Sequence, residues 1–259
     1  MSSSRAGTVR KIGTRAESAT ARKFLAEIIG TAFLTFIGAG AVTETNVLIA
    51  HGHAHLTEAD LGIIGLSFAF ALAISVYSIG KVSGCHVNPA ITIALLATRR
   101  IEAWLAGVYI VAQFIGATIG ALGIILVFGP AAAKVAGDMG VTSFASPTNA
   151  IQAAAIEAVG TFIFMFVITA MAADSRSPVG WAGLIIGITL GVVIMVIGPI
   201  TGGSLNPARS FGPALIQTIF GGKVDWSQYW VYVAGPIVGA VAGAFAYDAV
   251  SEAKRLGAS

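Results

Sequence analysis

The chain has 259 residues, 56% of them hydrophobic and only 10% charged, with a formal net charge of +3. A soluble domain is about 25% charged, so the composition describes an integral membrane protein, and its 32 glycines suit helices packed closely in lipid. One cysteine excludes an intrachain disulfide framework, and the sequence carries no zinc-spaced Cys/His cluster, phosphate loop or nucleic-acid module.

Residues 1–22 are polar and basic, with Arg5, Arg10, Lys11, Arg15 and Arg22. They read as a mobile cytoplasmic tail or as a lip that touches anionic lipid. They are not a signal peptide, because the apolar run that follows is too long and lacks a cleavage site. Six spans follow by hydropathy, near 23–43, 61–80, 102–128, 149–172, 180–199 and 227–249. Residues 250–259 form a second cytoplasmic tail. An even count puts both termini on one side. Arg99, Arg100, Arg176, Lys254 and Arg255 share that side, whereas Lys134 and Lys223 fall in loops on the other. The positive-inside rule therefore places both termini in the cytoplasm. Trp104, Trp181, Trp226 and Trp230 stand where spans begin, as interfacial anchors.

Two stretches interrupt this pattern, Ser83-Gly84-Cys85-His86-Val87-Asn88-Pro89-Ala90 and Thr201-Gly202-Gly203-Ser204-Leu205-Asn206-Pro207-Ala208-Arg209. Asn is a strong N-cap and Pro suits the first helical position. The apolar runs after them, 90–97 and 208–220, are half-length: roughly ten residues make about 15 Å of helix, against a hydrocarbon core of about 30 Å. Each half of the membrane domain (repeats 23–128 and 149–249 within 23–249) is three spans with one half-helix after its second. Ala26-Glu27-Ile28-Ile29-Gly30-Thr31 in the first repeat matches Ile156-Glu157-Ala158-Val159-Gly160-Thr161 in the second. Three spans per repeat invert the second relative to the first. The predicted fold is all-α: six transmembrane helices and two re-entrant half-helices whose N-termini, Asn88 and Asn206, meet near mid-membrane. Rows of small residues (Gly116 and Gly120; Gly183, Gly187 and Gly191; Gly235, Gly239 and Gly243) read as helix-packing faces.

Irregular backbone at membrane depth is tolerated only when buried in protein or lining a wet cavity. The carbonyls of Gly84, Cys85, His86 and Val87, and of Gly202 and Ser204, are expected to form ladders of acceptors, with the amides of Asn88 and Asn206 as central donors. Two helix N-termini add positive potential of about half a charge each. Such a path suits a neutral hydrogen-bonding solute and opposes cations, hydronium included. Intramembrane ionisable residues are functional candidates. Glu27 and Glu157 are expected to accept N–H bonds from the re-entrant loops, with direct solute contact as the other reading. Arg209 is expected to face the path, or else to form a salt bridge with a loop carboxylate.

The paired Asn-Pro-Ala motifs, the Glu-x-x-Gly-Thr repeat, Ser83 to Val87 and Arg209-Ser210-Phe211-Gly212 resemble the aquaporin, or major intrinsic protein, family over about residues 23–249. The resemblance implies a homotetramer in the cell membrane with one pore per subunit, passive flux of water and small neutral solutes, and no cofactor, metal, enzymatic activity or nucleic-acid partner. The family's four constriction positions match Phe68, Ile194, Gly203 and Arg209. Strict water channels usually carry His at the Ile194 position, whereas Ser210, Ala214 and Tyr232 follow the water-channel pattern; Val233 replaces its usual Trp. The mixture implies a water channel wide enough for glycerol. Cys85 is either a mercurial target in the path or a small residue in a tight loop. His86 either lines the vestibule or ties down its loop. The triplet His51, His53 and His55 reads as a solvated loop or a metal site, and the loop at 174–178 as a connection or a gate. An ion-coupled transporter would carry more carboxylates on its path, a cation channel an acidic ring, and an enzyme a nucleophile–base pair.

Overall fold

The computed structural model describes residues 3–52, 55–134 and 139–251, with residues 3–17 described as backbone. Eight α-helices follow one another: α1 (Ser3–Ala50), α2 (Glu58–Ser83), α3 (Pro89–Ala97), α4 (Ala103–Phe128), α5 (Ala150–Ile168), α6 (Ala182–Thr201), α7 (Pro207–Ile219) and α8 (Val231–Ser251). Short 3-10 turns at Pro130–Lys134 and Trp226–Gln228, and a π turn at Thr169–Ala173, extend them. Six helical stretches are long and apolar enough to cross a membrane, and α3 and α7 are the two half-length ones.

The first helix starts well before the expected boundary of its span. Where the sequence suggests a separate tail, the described residues up to 22 are one helix with it. The segment is proline-free, and its four Ala and four Arg are good helix formers. Extending an existing helix also needs no new nucleus. The triplet falls partly outside the described residues, because His53 does; His51 and His55 are exposed. Lys254 and Arg255 also lie outside them.

The packing order has the symmetry of the repeats. In the first half α1 packs on α4 and α2, and in the second half α5 packs on α8 and α6. The two mates α2 and α6 pack on each other. The half-helices cross over: α3 lies chiefly against α8, and α7 against α4. Each repeat thus completes the other. The glycine rows are what let these pairs close. A Cβ added at Gly120 would sit 2.6 Å from the Ala32 carbonyl oxygen, and one at Gly235 would sit 2.6 Å from that of Ala154. Real side chains do not tolerate such distances, so α4 on α1 and α8 on α5 both require glycine at the crossing.

Candidate functional site

Both re-entrant loops follow the same backbone path. Gly84, Cys85 and Val87 have positive φ in the first, and Gly202, Gly203 and Leu205 in the second. Positive φ is rare for any non-glycine residue, and for β-branched Val87, at φ 44°, it is an outlier. Such conformations cost about 1–3 kcal/mol each, and they persist only under external restraint. The restraint is a buried carboxylate behind each loop. Glu27 accepts from the backbone N–H of His86 (2.9 Å) and Val87 (2.7 Å), from the Ser83 hydroxyl (2.7 Å) and from Gln113 Nε2 (2.8 Å). Glu157 accepts from the N–H of Ser204 (2.9 Å) and Leu205 (2.8 Å) and from the Thr201 hydroxyl (2.7 Å). Both Glu residues are fully buried. All these partners donate, which is the pattern an acceptor-only carboxylate requires. Hydrogen bonds to a charged group contribute about 1.5–3 kcal/mol each, enough to offset the strain. Tyr109 and Tyr232 brace the loops from behind, donating to the carbonyls of Ser83 (2.6 Å) and Thr201 (2.9 Å).

The two Asn-Pro-Ala motifs meet. Asn88 caps α3 by accepting from Ala90 N, and Asn206 caps α7 by accepting from Ala208 N and Arg209 N. Their amide nitrogens cross over: Asn88 Nδ2 donates to Leu205 O (2.8 Å) and Asn206 Nδ2 to Val87 O (2.9 Å). An amide nitrogen has two hydrogens, so each Asn keeps one N–H for the cavity beside it. The sequence expectation of free central donors is thus half met. The Val87 carbonyl, expected in the acceptor ladder, already serves Asn206.

Three cavities share lining residues and follow one another. The central one, about 10 Å³, is lined by both Asn, His86, Val87, Ser204 and Arg209 together with the apolar side chains of Leu34, Phe68, Leu72, Phe164 and Leu190. Phe68 and Arg209 also belong to a vestibule of about 370 Å³, together with Ile194, Gly140 and Gly202. Leu72, His86 and Phe164 continue into a second vestibule of about 410 Å³, with Gly84, Cys85, Ile91 and Arg100. A water needs roughly 10–15 Å³ of such space, so the centre has room for a single water molecule and the vestibules for many.

At the neck between the first vestibule and the centre, the Arg209 guanidinium carbon lies 4.9 Å from the Phe68 ring centroid, and Arg209 Nη1 donates to Gly140 O at 2.6 Å. Arg209 is 2% exposed. Arg209 lines both the vestibule and the centre, and its Nη1 partner is a backbone carbonyl rather than the loop carboxylate that was the other expectation. Ile194 lines the vestibule, but Gly203 does not: it is buried against Gly198 and Ile194, and Gly202 takes its place on the wall. His86 takes both expected roles, lining two cavities while its Nδ1 pairs with Thr92 Oγ1 (3.1 Å) and its ring meets Tyr109 edge-on. Cys85 lines the second vestibule.

Sequence reasoning missed the apolar lining, Tyr109 and Gln113, and it named Tyr232 without its bond to the loop. Pseudo-symmetry was the available signal, because Leu72 and Leu190 stand sixteen residues before their Asn-Pro-Ala asparagines, in equivalent places. It also gave the loop at 174–178 no partner. Asp174 in fact accepts from Arg176 (2.6 Å) and from Tyr247 (2.7 Å), and Arg176 also donates to Ser251 O. The Arg176 hydrogen bonds, then Tyr247, hold the Asp174 carboxyl well below the usual carboxylate range. Arg100 pairs with Asp248 at the second vestibule (2.5 Å). Among the described residues no group of three His, Cys, Asp or Glu is placed to hold a metal ion.

The sequence profile described as Major intrinsic protein matches residues 14–247. A probable aquaporin, AqpM, of Archaeoglobus fulgidus is 46% identical over 88% of this chain and 96% of its own. A glycerol uptake facilitator protein-like 6 of Lactiplantibacillus plantarum is 42% identical over 86% of this chain and 95% of its own. Among solved structures, the aquaglyceroporin from Plasmodium falciparum superposes with a TM-score of 0.77 at 26% identity, over 90% of this chain and 97% of that one. The helix order, the crossed half-helices, the paired asparagines and these matches agree: the chain belongs to the aquaporin, or major intrinsic protein, family.

Proposed function

We propose that this protein is a passive channel for water that also passes glycerol and other small neutral solutes while excluding ions and protons. The observation that carries the reading is the centre: space for one water, two asparagine amides with an N–H each, and apolar side chains in the rest of the lining. A water there accepts from the asparagines and turns its hydrogens outward to the carbonyls of Gly84, Cys85, His86, Gly202 and Ser204. In that orientation it cannot relay a proton across the centre. Desolvating a cation costs on the order of 20 kcal/mol before relaxation. Two helix N-termini of about half a positive charge each raise that barrier further.

Selectivity by size is assigned to Phe68, Ile194, Gly203 and Arg209, with Gly203 acting through the backbone that seats Ile194. Ile194 in place of the His usual in strict water channels leaves an apolar, wider neck, and one relative is named a glycerol facilitator. Glycerol as the main solute is therefore the second reading. The protein is read as a non-enzymatic homotetramer in the cell membrane, with both termini cytoplasmic and repeats 23–128 and 149–249 forming each pore. Stopped-flow light scattering on proteoliposomes tests the reading. Water permeability well above that of empty liposomes is expected, with glycerol permeability above them too and no added proton leak. Glycerol flux equal to that of empty liposomes removes glycerol as a solute; water flux equal to theirs removes the reading altogether.

A further inference from the structure

Arg209 does not hold its own position. Its guanidinium donates to the Gly140 carbonyl, which belongs to a segment, residues 139–145, with no regular secondary structure. That segment walls the first vestibule with Gly140, Val141, Ser143, Phe144 and Ala145. It is tied down at several points. Met139 N donates to Gln217 Oε1 (2.8 Å), and the Thr142 and Ser210 hydroxyls pair at 2.8 Å. Gly140, at φ 70°, is wedged on α1: an added Cβ would stand 2.8 Å from Ala39 O. Gln217, Ser210 and Arg209 are all on α7, so these anchors move with the half-helix. Besides the Gly140 contact with α1, one hydrogen-bonded anchor lies off it. Gln228, in the turn before α8, grips Phe144 with both ends of its amide, Oε1 accepting from Phe144 N (3.0 Å) and Nε2 donating to Phe144 O (3.1 Å).

We propose that residues 139–145 are a strap that fixes the Arg209 side chain across the neck, and that Gln228 is the positioning residue that fastens the strap to the turn before α8. The inference rests on reading Arg209 as part of the constriction. A carboxamide suits residue 228, because its oxygen accepts from the N–H and its nitrogen donates to the C=O of one residue at once, whereas a carboxylate can only accept. A slack strap lets the Gly140 carbonyl, and Arg209 with it, sample both wider and narrower necks. Flux over a barrier is exponential in its height, so the wide moments dominate, and they matter most for the larger solute. Gln228 therefore controls discrimination between solutes without touching either.

The test compares glycerol and water permeability in proteoliposomes of wild type, Gln228→Met, Gln228→Glu and Arg209→Val at matched protein density. Gln228→Met keeps the side chain's size and removes both hydrogen bonds; Gln228→Glu keeps the acceptor and loses the donor. The glycerol-to-water ratio is expected to rise about three-fold or more in Gln228→Met, with Gln228→Glu between it and wild type. Should Gln228→Met leave the ratio unchanged, or lower both permeabilities in proportion, while Arg209→Val raises it, the strap is refuted and the constriction stands. A flat ratio in Arg209→Val as well would remove both. If Gln228→Met does not assemble, Thr142→Val loosens the strap at its Ser210 anchor and is read by the same criteria.

Discussion

The two re-entrant loops share one set of bonds and differ in what lies beyond them. Behind each loop stands a buried Glu that takes two consecutive N–H groups, a hydroxyl five residues before the Asn, and a Tyr that braces the hydroxyl residue's carbonyl. Even the second-layer pair repeats: His86 with Thr92 in the first loop, Ser204 with Ser210 in the second. The differences lie one step out. Gln113 adds a fourth donor to Glu27, but its counterpart on α8 is Pro236, which has no side-chain donor. Arg209, at the neck of the first vestibule, has Ile91 as its counterpart in the wall of the second. The shared bonds hold the strained backbone that forms the centre, and the unshared residues give the two vestibules different chemistry.

The strongest way to break the comparison is to remove a shared carboxylate. Glu27→Leu and Glu157→Leu each leave buried N–H groups without an acceptor, at about 1–3 kcal/mol per orphaned donor. Both variants are expected to lose most of their folded yield, and Glu27→Leu the more, since it strands four donors against three. Detergent-solubilised melting curves rank them; equal melting points for the two would show that Gln113 adds nothing. Next in size is Arg209→Val, expected to raise the glycerol-to-water permeability ratio roughly ten-fold, about 1.4 kcal/mol of discrimination. Ile91→Val, its counterpart, should leave the ratio as it is. Gln113→Leu isolates the extra donor and is expected to destabilise by about 1.5–3 kcal/mol, read as a lowered melting temperature with selectivity intact. Tyr109→Phe and Tyr232→Phe remove symmetric bonds and are expected to lower stability equally, by about 1 kcal/mol each; unequal losses would mean that the bracing is not symmetric.

The smallest effect concerns a feature of one half only. Asp174 has its carboxyl depressed by Arg176 and Tyr247. A depressed folded-state pKa contributes stability that is present above the unfolded value of about 4. That contribution is lost as pH falls through the lower folded value. Melting temperature measured from pH 6 downward is expected to fall slightly less steeply in Asp174→Asn than in wild type.

Much of this protein was legible in its sequence, because the bilayer restricts what a chain can do. Six apolar stretches had to be helices, since unpaired backbone in hydrocarbon is prohibitive. Asn88-Pro89 and Asn206-Pro207 marked helix starts by local capping chemistry alone, the Glu27 and Glu157 motifs marked the internal repeat, and three spans per half marked its inversion. The tertiary structure decided what depends on residues far apart in the chain. It brought each Asn amide onto the other loop's carbonyl, chose Gly202 over Gly203 for the vestibule wall, and set Leu34, Leu72, Phe164 and Leu190 in one cavity with the asparagines. It alone placed the Gly140 carbonyl on Arg209, 69 residues away, and gave the strap its Gln228 anchor. Helix starts and spans are short-range properties of a few neighbouring residues. A hydrogen bond between a loop and a half-helix exists only once the helices between them have packed.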